Sequence, residues 1–426
     1  MALLFKQDKI MRLLRRLIAS NLIFGIFIAI FIISVGIAAV VRGGKDLKVD
    51  LFGVEQILQK KSPYDNPTDP GRPLFRYAPP FALMMRPFLI GGKQIPNQLL
   101  LSLSKYANID IIIFYTTKIF LLFLTAPFLL KLIPCSSRQR CWMNFKLAFF
   151  LSMPFIGYEL TNNQNKLIAL CFIIFSLYLF DQQRLWLSGL FFNLALVVYL
   201  PLAPFIIYFF KNRKKFIFTF IVTFALVFII IPSFIWGIHY NNFLLKDWFN
   251  RCLKPFFITK SYSTYIDLRR SSQSLPSAIG RIFVMGKTGN FQYLISPFFI
   301  HIIIRFLSLL VSLLAFFAIW FSKDKYKGLE FSTLLILSMI LPQYCIYYTW
   351  AYLLVVYLAI FNYIDFNKDD ISSKKILLIP CLLVFITICL IWIKVIKYLS
   401  VLFWSTLALW LGMVYIMLKS MRYKRV

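Results

Sequence analysis

Between Arg42 and Phe81 the chain reads RGGKDLKVDLFGVEQILQKKSPYDNPTDPGRPLFRYAPPF, which gathers carboxylates, basic residues, prolines and tyrosines directly after a long apolar run. A carboxylate held just beyond the end of a membrane helix can accept a proton from a hydroxyl, the work of a general base. Asp50 is the candidate for this and Asp46 is the runner-up, and their placement in the chain does not separate the two. The plainer alternatives are that Asp50 caps a helix containing Val54–Leu58 and that Asp46 is a solvated loop acid. A second polar stretch carries Arg269, Arg270 and Arg281. Guanidinium forks match phosphate oxygens two at a time, so these three suit an anionic ligand such as a phosphate or diphosphate. Lipid headgroups are the competing partner.

The elements that must position these groups are membrane helices. Mean hydropathy is +0.76 with 60% hydrophobic residues, well above an ordinary soluble domain. Runs such as Ala19–Val41, Phe216–Trp236 and Ile376–Ile393 approach or exceed the ~20 residues that cross a bilayer as a helix. They lack the alternation of a membrane barrel, so the chain reads as an all-α polytopic membrane protein forming one transmembrane unit over 1–426. The first run follows Lys6, Lys9, Arg12, Arg15 and Arg16 and is too long for the core of a signal peptide, so it reads as a retained anchor. The 7 cysteines are scattered and there are 2 histidines, which argues against a histidine-built metal site. Cys135 and Cys141 fall in a loop expected inside the cell, where disulfides do not persist. No glycine-rich nucleotide cradle occurs. Neither a metal nor a cofactor is expected, and the partners are membrane lipids rather than nucleic acid.

With the basic N-terminus on the cytoplasmic side, the chain divides into roughly twelve crossings of the length a bilayer requires. Both termini then lie inside. A pair of half-length elements hinges around Tyr199-Leu-Pro201, a short helix covers about 147–160 with Arg138, Arg140 and Lys146 in the loop before it, and 79–103 forms short surface or re-entrant helices. Four polar clusters fall on the outer face: 42–81, 159–166, 254–287 and 342–350. Part of the net charge of +31 lies in these outer loops, where the positive-inside bias would deplete it. Long loops relax that bias, and an anionic ligand explains the excess equally well.

Several outer-face segments together resemble the GT-C class of membrane glycosyltransferases, and most closely glycosyltransferase family 87. Asp50-Leu-Phe followed by Lys61-Ser-Pro63-Tyr64 is similar to the family's Asp, helix and PY pattern, and Phe75-Arg76-Tyr77-Ala78-Pro79-Pro80 to its YPP turn. Asn163-Gln164-Asn165 is similar to its GQ-x-N, Ser271-Ser-Gln273-Ser274-Leu275 with Arg281 to its NQSL…R, and Leu341-Pro342-Gln-Tyr…Trp350 to its SP-x-S-W-x-H-H. Tyr199 stands where the family's K-x-P has lysine, and Tyr347 and Tyr348 stand near its histidines.

The resemblance implies a GT-C fold and an inverting hexosyltransferase, mannose-like in specificity. Its donor would be a polyprenyl-phosphate sugar, its acceptor a glycolipid or glycan, and its site would lie on the periplasmic or extracellular side of the inner membrane. It casts Asp50 as the base and Asp46, Arg76, Gln273, Arg281, Tyr347 and Tyr348 as neighbours of the substrate. Gln164 and Asn165 would bind sugar hydroxyls or cap the following helix, and Tyr64 and Tyr77 would stack on a sugar ring or form an interfacial belt. A flippase or exporter of a lipid-linked glycan is the rival, since helices broken at Pro201 and Pro342 suit a transporter. Against it, no repeat relates the halves and few acids lie within spans. A non-catalytic scaffold leaves the polar convergence unexplained.

Overall fold

The computed structural model describes residues 20–65, 75–89, 107–254, 272–285, 292–323, 326–342, 345–367, 370–390 and 393–422. Seven helices among them are long and apolar enough to cross a membrane: α1 (Asn21–Val41), α4 (Ala107–Leu132), α9 (Phe216–Trp236), α12 (Pro297–Phe321), α14 with its leading turn (Tyr347–Phe366), α15 (Ile371–Cys389) and α17 (Val401–Arg422). A further pair, α5 (Arg138–Thr161) and α6 (Lys166–Asp181), passes the same test together but bends by 120° at the break between them. The other segments behind the expected twelve crossings are shorter: α7 (Leu185–Val198), α8 (Phe205–Asn212) and α13 (Lys327–Ile340). The small helices among the described residues are α2 (Lys45–Leu58), α3 (Pro80–Met85), α10 (Ile238–Trp248), α11 (Leu275–Phe283) and α16 (Lys394–Tyr398). The extended pairing among the described residues is one antiparallel contact, β1 (Val284–Met285) with β2 (Gln292–Tyr293).

Helix ends meet in two groups, which define two ends of the bundle. At one end Lys211 on α8 pairs with Glu330 on α13 at 2.6 Å and donates to the Ser322 carbonyl at 3.1 Å. There Lys327 pairs with Asp181, and Asn144 donates to Asn362 and Asp365 at 2.9 and 2.7 Å. At the other end lie α2, the α5–α6 junction, α10, α11 and the turn before α14. The sequence-based helix over about 147–160 thus begins earlier, at Arg138, because Ser137 caps it and Asn144 and Lys146 find side-chain partners in Asn362 and Asn21. Arg138, Arg140 and Lys146 are helical rather than loop residues. Cys135 and Cys141 are joined as a disulfide, where the sequence reading expected free thiols.

Lipid contact and burial sort the spans. α1 is apolar all round and mostly exposed at the periphery, whereas the Tyr347–Phe366 span is 78% buried and packs against α5, α6 and α13. The half-length pair is observed: α7 stops at Tyr199, a short turn carries Pro201, and α8 returns. The Tyr199 hydroxyl anchors that break by donating to the Ser338 carbonyl of α13 at 2.9 Å. In α9, Pro232 has no N–H for the Phe228 carbonyl, the usual cost of proline inside a helix. The Asn241 amide takes that carbonyl and the next, at 3.2 and 3.3 Å. The bond fixes where α10 leaves α9, so α10 lies over α2 with Tyr240 donating to the Lys61 carbonyl at 2.7 Å.

Candidate active site

The turn between α5 and α6 is the piece that builds the site. Asn163 adopts a left-handed backbone, φ +52°, which asparagine tolerates better than most residues. Two charged side chains inside the bundle hold the turn. Glu159 of α5 accepts the Leu167 N–H at 3.2 Å, and Lys118 of α4 donates to the Gln164 carbonyl at 3.1 Å. Lys118 and Glu159 stand 3.6 Å apart, both with no side-chain exposure. A buried charge persists only when paired and hydrogen-bonded; these two neutralise each other as an ion pair, and each makes its hydrogen bond to the turn.

So fixed, Asn165 presents its amide to the first polar segment. Its Nδ2 donates to Asp50 Oδ2 at 2.6 Å and to the Tyr77 hydroxyl at 3.0 Å. Asn165 occupies the cap position of α6 but makes no cap bond there, so the helix-capping alternative does not describe its side chain. Nor does Asp50 cap a helix: it sits within α2, whose cap residue is Gly44. Asp46 lies one turn earlier in α2, half-buried. Gly53 of α2 makes room for the Phe75 ring, 2.1 Å from where a Cβ would stand. The ring in turn contacts Tyr64 and Tyr77. Tyr77 stacks on Phe81 at 4.0 Å, and the Tyr64 hydroxyl donates to the Tyr77 carbonyl at 3.0 Å.

Asp50 is 2% exposed. Burial pushes its carboxyl well above the usual carboxylate range. The Asn165 bond opposes that shift, the negative Asp46 adds to it, and the positive charges of Lys166 and Lys118 oppose it. Burial and the neighbouring Asp50 push the Tyr77 phenol up as well, so it stays a neutral hydroxyl. A desolvated carboxylate with a raised proton affinity is suited to removing a proton from an alcohol near neutral pH. Both polar atoms of the fully buried Asn163 side chain and Oδ1 of Asn165 have no hydrogen-bond partner among the described residues.

The later clusters join the same end of the bundle. The Gln273 N–H donates to the Cys345 carbonyl at 2.7 Å, and its side chain reaches the Lys397 carbonyl at 3.2 Å. Arg281 donates to the Ser272 carbonyl at 2.7 Å and to the Ser400 hydroxyl at 3.0 Å. These bonds knit α11, the turn before α14 and α16 into one wall. Tyr347 and Tyr348 pack on Tyr158 of α5, centroids 5.8 and 6.5 Å away. Arg76 is exposed, and its carbonyl accepts the Trp248 indole N–H at 3.4 Å. Arg269 and Arg270 lie outside the described residues. Sequence reasoning missed Lys118, a lysine inside the apolar run of α4, and the hold that Glu159 has on the turn. Charged residues within membrane helices are rare and functional, and that signal alone would have flagged Lys118.

The sequence model of glycosyltransferase family 87 matches residues 75–342, more than half of the chain. The match takes in Tyr77, Asn163–Asn165, Gln273 and Arg281, and it begins after Asp50 and Tyr64. No curated protein matches, and no solved structure does.

Proposed function

This chain belongs to glycosyltransferase family 87, and on that premise we propose that it is an inverting hexosyltransferase with Asp50 as its base. The donor is a polyprenyl-phosphate hexose, mannose-like, and the acceptor is a hydroxyl of a glycolipid or glycan at the outer face of the inner membrane. The observation that carries this reading is the buried Asp50 carboxylate, held by Asn165 beside the Tyr77 hydroxyl.

Asp50 takes the proton of the acceptor hydroxyl as its oxygen bonds to the anomeric carbon. The bond from that carbon to the phosphate oxygen breaks, and its electron pair leaves with the lipid phosphate. Attack from one face and departure from the other inverts the sugar. The developing phosphate charge needs cations rather than a proton donor, and Arg281 with Arg269 and Arg270 are candidates for that task. Tyr64, Tyr77, Arg76, Gln164, Gln273, Tyr347 and Tyr348 line the approach on this reading.

The test is a transfer assay with purified protein in detergent, a polyprenyl-phosphate mannose donor and extracted glycolipid acceptors. Wild type forms a new glycosidic bond, and Asp50→Asn lowers turnover by about 100-fold or more with unchanged folding. Near-normal turnover in Asp50→Asn removes Asp50 from the mechanism. Absence of any glycosidic product in wild type sinks the transferase reading, since a flippase moves lipid without making a bond.

A further inference from the structure

Lys166, the first residue of α6, is 9% exposed. Its Nζ lies 4.0 Å from the centre of the Tyr199 ring and 5.8 Å from that of Tyr77. Among the described residues no carboxylate stands within ion-pair distance of it and no hydrogen bond holds it. Its neighbour Lys118 has Glu159, and its neighbour Asp50 has Asn165. The position makes an unpaired ammonium costly twice over. Burial without an ion-pair contact is unfavourable, and the amino end of a helix carries partial positive charge that favours an anion. Two phenol rings recover part of this through their faces, yet they leave the ammonium protons unbonded. Asn163, three residues earlier, and Asn165 Oδ1 are buried without hydrogen-bond partners among the described residues. Polar groups left this way beside a desolvated carboxylate describe a site whose remaining partner is a ligand.

We infer that Lys166 is a substrate-binding residue of this reaction and that it holds the phosphate of the phosphoprenyl donor through the Nζ braced on Tyr199 and Tyr77. The inference rests on the transferase reading and deepens it, by assigning the leaving group to a residue outside the arginine loop. Tyr77 ties the two halves of the chemistry together, since its ring faces Lys166 while its hydroxyl accepts from the amide that holds Asp50. A prenyl chain rather than a free anion fits the surroundings. An apolar groove of about 440 Å3 runs between α1 and α4, lined by Ile33, Gly36, Ile37, Val41 and Ile112. Its Val41 and Ile112 end lies near Gly44, whose Cβ would touch both Ile111 and Asn163.

The experiment measures binding of farnesyl phosphate and of inorganic phosphate to the full-length protein in phosphatidylcholine nanodiscs. Wild type binds farnesyl phosphate about tenfold or more tighter than inorganic phosphate. Lys166→Met, which keeps the length of the stem against the rings, weakens farnesyl phosphate by about tenfold or more. Lys166→Arg retains most of the affinity, and all three proteins melt alike. Equal binding of the two anions in wild type overturns the lipid-phosphate assignment in favour of a free-phosphate site. Displacement of farnesyl phosphate by added phosphatidylglycerol overturns it in favour of a headgroup site. An affinity in Lys166→Met within about twofold of wild type removes Lys166 from phosphate binding, and collapse of both variants shows the ammonium to be structural. The transfer assay tests the transferase reading separately: Lys166-dependent farnesyl phosphate binding without sugar transfer keeps Lys166 as a ligand of the prenyl phosphate and sinks its place in a transferase.

Discussion

At the scale of single residues, the site depends on how far the protein raises the proton affinity of Asp50 without losing the carboxylate. Burial and Asp46 raise it, while the Asn165 amide and the ammonium groups of Lys166 and Lys118 hold it down. On the proposed reading the carboxylate acts as base only when ionised, so activity is lost as pH falls through its raised pKa. The acid limb of kcat/KM in wild type therefore lies above pH ~4, where ordinary carboxylates titrate. Asn165→Leu removes a bond that stabilises the charged form, which raises the pKa further. Its acid limb moves to higher pH, and turnover at the acid side falls more than turnover at pH 8. A limb that stays in place in Asn165→Leu, or one at pH ~4 in wild type, separates Asp50 from the proton transfer. Asp50 was legible in the sequence as a carboxylate after a membrane helix and through its resemblance to a family pattern. The amide that tunes it was not distinguishable from a helix cap, because Asn165 stands in the cap position and only its three-dimensional partner reveals the difference.

At the scale of elements, three helices meet on one ion pair. Lys118 belongs to α4, Glu159 to α5, and the N–H and carbonyl they bind belong to the turn into α6. Removing one partner leaves the other charge buried and uncompensated, typically a loss of about 3–5 kcal/mol. Lys118→Met lowers the thermal midpoint accordingly and loosens the turn that aims Asn165, so kcat falls with it. Glu159→Gln in the Lys118→Met background removes the stranded charge while leaving an oxygen for the Leu167 N–H, and it recovers part of the midpoint. A double variant no more stable than Lys118→Met argues that the pair contributes packing rather than charge. The apolar periodicity located most of the helices, including the hinge at Tyr199 to Pro201. It misplaced the start of α5, because Asn144 and Lys146 read as loop residues when their partners, Asn362, Asp365 and Asn21, are distant in the chain. Lys118 escaped for a related reason. A single lysine scarcely alters the hydropathy of α4, and its two partners are supplied by other helices.

At the scale of the molecule, helix-end contacts separate an end bearing Asp50, Asn165 and Tyr347 from an end bearing Lys211, Glu330 and Asp181, and only the membrane can orient the two. The proposed reading puts the Asp50 end on the outer face. That end carries Arg42, Lys48, Lys60, Lys61 and Arg76 near the site, against the usual inside bias for basic residues. A phosphate ligand gives these charges a reason to lie there, so orientation and chemistry stand or fall together. The loop positions that polarity alone would select for labelling, Ser62 and Ser274, are buried at 6% and 0% exposure and react slowly from either side. Lys61 and Arg184 are exposed at opposite ends and are the better reporters, in a background where the exposed Cys389 is replaced by alanine. A membrane-impermeant maleimide applied to intact cells labels Lys61→Cys, and labels Arg184→Cys only after the membrane is opened. The reverse pattern places Asp50 on the cytoplasmic side, where the donor sugar would have to be presented before it crossed the membrane, and overturns the outer-face reaction whatever the base proves to be.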